Sequence, residues 1–197
     1  MKSFTKSAPG FEYEARYLQG GMEVLEPFLL ADDVYWPLGL KALSGEPAYP
    51  QLTLGGMLLG HTRAAALAYS LSQQTRMKQI SEDLDHMRAR WKTAWLKKVN
   101  HELHARQLQW ANFLEDYRER PGENYDRYDY EVFRRVIIEL LWKEIDPHTQ
   151  ADVDHLEGLD LILRSSFASG PFIWSSELQA AFPFEQYWFL YGYLRED

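Results

Sequence analysis

The chain contains no cysteine. That absence removes disulfide staples, thiolate metal sites and cysteine nucleophiles from consideration. It also lacks any run of eighteen apolar residues, so no segment reads as a membrane span. The opening stretch, MKSFTKSAPGFEYEARY, has two lysines but no apolar core after them, and Glu12 and Glu14 intrude early. A signal peptide is therefore not expected, and the cytoplasm is the expected compartment. Phosphate-cradling glycine patterns are missing, because LGGMLLG has neither GxGxxG nor Walker-type spacing. No GxSxG elbow occurs. Ser165, Ser166, Ser169, Ser175 and Ser176 fall near expected helix ends, where capping accounts for serine without catalysis.

What remains is the balance of an ordinary single-core globular domain: 197 residues, 46% hydrophobic and 25% charged. The formal charge is −8, unevenly spread, with −2 over residues 1–75, +4 over 76–106 and −10 over 107–197. An acidic total repels a phosphate backbone unless basic residues gather locally, and the middle stretch gathers some.

Residues 1–11 read as a loose arm closed by Pro9-Gly10, and 12–197 as one helical domain. From Glu12 to Ala31 the composition is helical, but Gly20-Gly21 and Pro27 predict two short helices or a bent one. Residues 32–52 hold three prolines and two glycines beside Tyr35, Trp36 and Tyr49. Such a loop is expected to pack onto the domain; the other use for YWPLGL is to line a partner groove. Thr53 is placed to cap a helix rich in Gly55, Gly56, Gly60, Ala64, Ala65 and Ala66, whose small side chains predict tight crossing by neighbours. Gly56 and Gly60 echo the GxxxG of membrane helices without its apolar context, and His61 on this helix is a candidate for burial.

Met77, Ile80, Leu84, Met87, Trp91 and Ala94 recur at helical intervals, and neither Gly nor Pro occurs between Thr75 and Tyr117. This predicts one long helix over about 76–117, near 60 Å if unbroken, central or projecting. A four-residue shift at Trp95 marks a possible kink. Val132, Phe133, Val136, Ile137, Leu140, Leu141 and Ile145 predict a core helix ended by Pro147, and Val153, Leu156, Leu159, Leu163 and Phe167 another ended by Gly170-Pro171. A last helix is expected in the aromatic stretch FEQYWFLYGYL. The expected class is all-α, an irregular bundle of six or seven helices.

Chemistry is sparsely signposted. Asp83 with His86 and Asp152 with His155 repeat a three-residue spacing that shares a helical face, as in bundle metal sites. Those sites use Glu, however, and only Glu139 and Glu144 stand as further ligands. Asp83, His86, Asp152 and His155 are the metal candidates, but solvated ion pairs are the favoured reading, and no metal or cofactor is expected. His101-Glu102-Leu103-His104 falls one residue short of the HExxH spacing of zinc proteases. The acidic clusters Asp32-Asp33, Glu82-Asp83-Asp85 and Asp152-Asp154 sit in contexts too polar to tune a carboxyl. An acid–base site assembled from Asp, Glu and His on separate helices stays open as an enzymatic alternative. A nucleic-acid alternative rests on Arg88, Lys92, Lys97 and Lys98 interleaved with Trp91 and Trp95.

The favoured expectation is a non-enzymatic interaction or assembly domain. Seven Trp, twelve Tyr and ten Phe supply interface-forming side chains. Trp36, Trp188 and Tyr191 are the contact candidates, and the expected partner is another protein or a second copy of this chain. Nucleic acid ranks behind, and a membrane is not expected.

Overall fold

The structure, a computed structural model, describes residues 10–196. The expected arm therefore lies outside the described residues up to residue 9. Gly10 precedes helix α1, Phe11–Leu30, which runs unbroken, in contrast to the split expected from its glycines and proline. Packing overrides the local preference. Gly20 faces Leu38 and Leu40 from the following loop, and a Cβ at Gly21 would lie 3.0 Å from Leu52 Cδ1. Pro27 falls in the last turn, where its missing N–H costs one hydrogen bond.

The loop from 31 to 53 lies down on α1, as its aromatic content predicts. Tyr49 stacks on Tyr13 at 4.5 Å, Arg16 Nε donates to the Tyr49 hydroxyl, and Trp36 and Leu52 exchange two backbone hydrogen bonds. Helix α2, Leu54–Ala66, starts at Thr53, whose Oγ1 accepts from Gly56 N–H at 2.9 Å. It is the tightly crossed helix that its small residues predict. A Cβ at Gly55 would come within 2.4 Å of Ile137 Cγ2, and one at Gly56 within 2.8 Å of the Tyr17 hydroxyl.

The single long helix expected over 76–117 is two helices. α3 covers Leu71–Arg90, opened by a reciprocal Ser70–Gln73 capping box, and α4 covers Lys92–Glu119. Trp91 leaves helical geometry between them, with φ −110° and ψ 31°. The break falls where the apolar stripe shifts. α3 buries Met77, Ile80 and Leu84 and packs on α1 and α2, whereas α4 buries Trp95, Val99, Leu103 and Trp110 and packs chiefly on the 133–142 segment. One straight helix cannot present both stripes to their separate neighbours.

Two short helices follow, α5 (Pro121–Asn124) and α6 (Tyr128–Glu131), then α7, Phe133–Trp142. The expected core helix thus has an irregular turn at Val132. α8, Gln150–Ser166, is capped by Thr149. The C-terminal part then adds a small sheet to the expected helical bundle. Phe167–Phe172 forms strand β1, and after α9 (Phe184–Tyr187) residues Tyr191–Leu194 form strand β2, where a final helix was expected. The strands pair antiparallel, Phe167 opposite Leu194, with an irregularity between Ser169 and Phe172 that absorbs Gly170-Pro171. A Cβ at Gly192 would lie 2.2 Å from Ala168 O, so only glycine permits this pairing. The class is a mostly helical bundle with one small sheet. No helix among the described residues is long and apolar enough to cross a membrane.

Candidate functional site

A cavity of ≈ 390 Å³ opens where α1, α2, α4 and the α6–α7 turn meet, closed on one side by Trp174. Its volume lies within the usual range for small-molecule sites. The close approach of α1 and α2 creates it. Gly56 and Gly60 put bare backbone against the Tyr17 side chain, and a Cβ at Gly60 would lie 3.3 Å from Glu14 Oε2. Trp174 is held by its neighbours: the Ile173 N–H donates to Leu190 O, and the indole packs edge-on against buried Phe182 at 5.2 Å.

One wall is electrostatically complete. Glu102, fully buried on α4, accepts from Gly55 N–H at 2.8 Å and from Arg106 Nε and Nη2 at 3.1 and 3.0 Å. Arg106 Nη2 also donates to Thr53 Oγ1. Glu102 and Thr53 together satisfy the first amides of α2, a carboxylate placed where a helix N-terminus favours negative charge.

The opposite wall is unfinished. Glu14, only 4% exposed, faces Arg63 with Oε1 3.8 Å from Nη1, beyond hydrogen-bond length. Arg63 Nε is sealed from solvent and has no hydrogen-bond partner among the described residues, and the buried Tyr17 hydroxyl, which faces the Thr53 backbone N–H, has no acceptor there for its own proton. Arg63 lies over the Trp174 ring at 4.5 Å, a contact that supports the cation without using its N–H groups. Burial pushes the Glu14 carboxyl up to about 7, against the pull of Arg63. Burial likewise lowers the Arg63 guanidinium, opposed by Glu14 and Tyr13, and raises the Tyr17 phenol. The cavity mouth carries Asp129 and Tyr130, both exposed, and half-buried Phe133. Chemically, the site offers a cationic fork, a hydroxyl donor and a carboxyl that exchanges its proton near neutrality, between apolar walls.

The residues singled out from sequence lie elsewhere. Trp36, Trp188 and Tyr191 are all half-buried and engaged within the molecule. Trp36 packs on Phe28, Trp188 lies beneath Arg164 and against Phe167, and Tyr191 donates its hydroxyl proton to Phe182 O. Asp83 accepts from Gln79 and Asp152 from Thr149, while His86 and His155 are exposed. No group of three or more His, Asp or Glu able to hold a metal ion occurs among the described residues. His101 and His104 are exposed on α4, whereas Glu102 between them points inward to Arg106. His61 is half-buried and shares a hydrogen bond with Ser81 Oγ at 2.7 Å; burial, with Arg88 nearby, lowers its basicity.

The basic set does not form one surface. Arg88 pairs with Asp85 and Glu144, and Lys97 with Asp32. Lys98 is buried, a correction to its placement on a nucleic-acid face. Its Nζ donates to Ala31 O and Asp33 O, closing the C-terminal end of α1. Lys92 is exposed.

Glu14, Tyr17, Arg63 and Trp174 escaped the sequence reading, yet two carried a signal. Glu14 is a lone acid among the buried positions Phe11, Ala15, Tyr17 and Leu18, and Arg63 is the single Lys or Arg on a helix of small and apolar residues. A charge inside an apolar stripe must find a partner or a purpose. Comparison with known protein families, with curated proteins and with solved structures found no match to this chain.

Proposed function

We propose that this protein binds a small molecule in the cavity between α1, α2 and Trp174. One observation carries the reading: Arg63, whose Nε is buried without a partner, and Tyr17, whose buried hydroxyl proton has no acceptor among the described residues, both line one partly open cavity. Leaving a buried donor unsatisfied costs about 1–3 kcal/mol, a cost that a bound partner would offset. Glu14 adds a group able to give or take a proton at the bound molecule, which keeps acid–base chemistry within the same site. The test is a fragment screen read on the indole signals in ¹H–¹⁵N spectra. Binders should move the Trp174 indole in the wild type and lose at least tenfold in affinity in Arg63→Met. Hits that never touch Trp174, or that bind Arg63→Met as tightly, would refute it.

Assembly with a protein partner is the second reading, and the C-terminal aromatic surface favours it. Phe184 and Tyr193 are 53% and 54% exposed, and Phe184 packs edge-on against half-buried Tyr191 at 5.4 Å. Aromatic side chains in such a cluster suit a self-complementary contact. Sedimentation should then show a dimer that Phe184→Ser with Tyr193→Ser dissociates; a wild-type monomer up to about 100 μM, a Kd equivalent to about −5.5 kcal/mol, speaks against self-assembly.

A further inference from the structure

The two unspent groups in the cavity are both donors, and this decides what chemistry the ligand must bring. Arg63 presents its guanidinium, with Nε unpartnered, and Tyr17 an O–H; the two acceptors on the α4 side are already committed. Thr53 Oγ1 takes Gly56 N–H and Arg106, and Glu102 takes Gly55 N–H and Arg106. Glu14 stands 3.8 Å from Arg63 as a distant counter-ion, and exposed Asp129 is a further acceptor at the mouth.

From this geometry we infer that the cavity takes a flat organic carboxylate, whose anion replaces Glu14 as the partner of Arg63 while Glu14 takes up a proton. This inference rests on the binding reading above and deepens it. A carboxylate matches the arginine fork in two parallel hydrogen bonds and leaves an oxygen lone pair for the Tyr17 hydroxyl. The replacement is one charge for one charge. A phosphate dianion would bring a second charge into a space that already holds Glu14 and has Asp129 at its mouth, in a chain of formal charge −8. Arg106 cannot neutralise it, because Glu102 already does so at 3.0 Å. The body of the ligand meets Trp174, Phe133, Leu59 and Ile137, and ≈ 390 Å³ holds about a dozen waters at ~30 Å³ each, the scale of a one- or two-ring acid.

The proton follows from the same arrangement. With the ligand anion on Arg63, an ionised Glu14 would be a second buried negative charge within the site. Its protonated form instead becomes a third donor toward the ligand. The other charged or titratable groups around Glu14 are Tyr13 and Tyr17 on its own helix, Arg63 on α2, Arg106 with Glu102 on α4, and Asp129 on α6. Burial alone holds the free carboxyl up to about 7, so the uptake is measurable in the neutral range. Below about pH 7 binding is expected to be independent of pH. Above it, affinity falls about tenfold for each pH unit, since the protonated form must first be repopulated.

The experiment is calorimetry of the full chain with benzoate and 2-naphthoate, set beside benzamide and phenylalanine, in two buffers of different ionisation enthalpy. The Trp174 indole signal is followed in parallel. The expected result is carboxylate binding at least tenfold tighter than benzamide, with close to one proton taken up at pH 8. Glu14→Gln should abolish both the uptake and the fall in affinity between pH 7 and 8.5. If that variant does not fold, the buffer dependence of the wild type alone decides. Equal binding of benzoate and benzamide would overturn the ligand class and leave the cavity reading standing. Preference for phenylalanine with proton release would assign Glu14 to an ammonium group, and would equally overturn it. No movement of the Trp174 indole with any of the four would remove the cavity reading itself.

Discussion

Glu14 and Glu102 are both buried carboxylates, and they differ in how completely the fold satisfies them. Glu102 accepts three hydrogen bonds and sits beside Arg106; Glu14 has Arg63 at 3.8 Å and little else. The unpaired carboxyl should leave a mark on stability. In the unfolded chain Glu14 ionises near 4.5, and in the fold near 7. Between those values the native state binds a proton that the unfolded state has released, so stability falls as pH rises from about 4.5 to 7 and levels off above. A shift of this size is worth about 3 kcal/mol. Urea unfolding of wild type and Glu14→Gln at pH 4.5, 6 and 8 should show the variant gaining about that much relative to wild type across the range. Parallel pH profiles would mean that Glu14 is solvated. The carboxyl itself was legible as a lone acid in an apolar stripe, but its neighbour Arg63 lies 49 positions away on another helix, and no local pattern links the two.

At the scale of elements, α2 is the piece that sequence described best and on which the site depends most. Its glycines and alanines announce close crossing, and Thr53 announces its start. What they leave open is which helices cross it, since that is set by surfaces far along the chain: Ile137 and Leu141 against Gly55, Tyr17 against Gly56 and Gly60. The consequence can be measured. Alanine is favoured over glycine in a helix by about 1 kcal/mol, yet a Cβ at Gly55 would meet Ile137 Cγ2 at 2.4 Å. Gly55→Ala should therefore destabilise the protein by about 1–3 kcal/mol, as overpacking does. Ile137→Ala alone should cost about 2–5 kcal/mol through the void it leaves. The double variant should be more stable than the two losses added together, by at least about 1 kcal/mol, because each change relieves the other. Additive losses in denaturant unfolding would place the contact elsewhere. The same dependence on distant partners hid both strands, and left the break at Trp91 signalled only by the shift of the apolar stripe just beyond it. No Gly or Pro marks Trp91, and Phe167–Phe172 becomes a strand only through pairing with Tyr191–Leu194, about twenty residues on. Its Gly170-Pro171 reads locally as a helix stop, and the aromatic stretch beyond reads locally as a helix.

For the whole molecule, charge is the property that sequence showed in amount and the fold shows in arrangement. The segment 76–106 carries a net +4, which taken alone invites a polyanion. In three dimensions that excess is distributed among acidic neighbours from other parts of the chain. Arg76 pairs with Glu12, Arg88 with Glu144 and Lys97 with Asp32, while Arg106 and Lys98 are buried with their own partners. Lys92 retains exposure, but one or two free cations release too few counter-ions to hold a nucleic acid at physiological salt. The molecule as a whole, at −8, adds a repulsive field. Labelled single- and double-stranded DNA and RNA should accordingly show no anisotropy change with about 10 μM protein at 150 mM salt, a concentration in the middle of the range of nonspecific affinities. Lowering the salt to 50 mM should bring out no more than weak, sequence-independent association. Submicromolar binding that weakens steeply with salt would require the Asp32, Glu12 and Glu144 pairings to open, and Asp32→Asn with Glu144→Gln should then tighten it. If those substitutions leave affinity unchanged, any nucleic-acid contact must be made by a face other than α3 and α4.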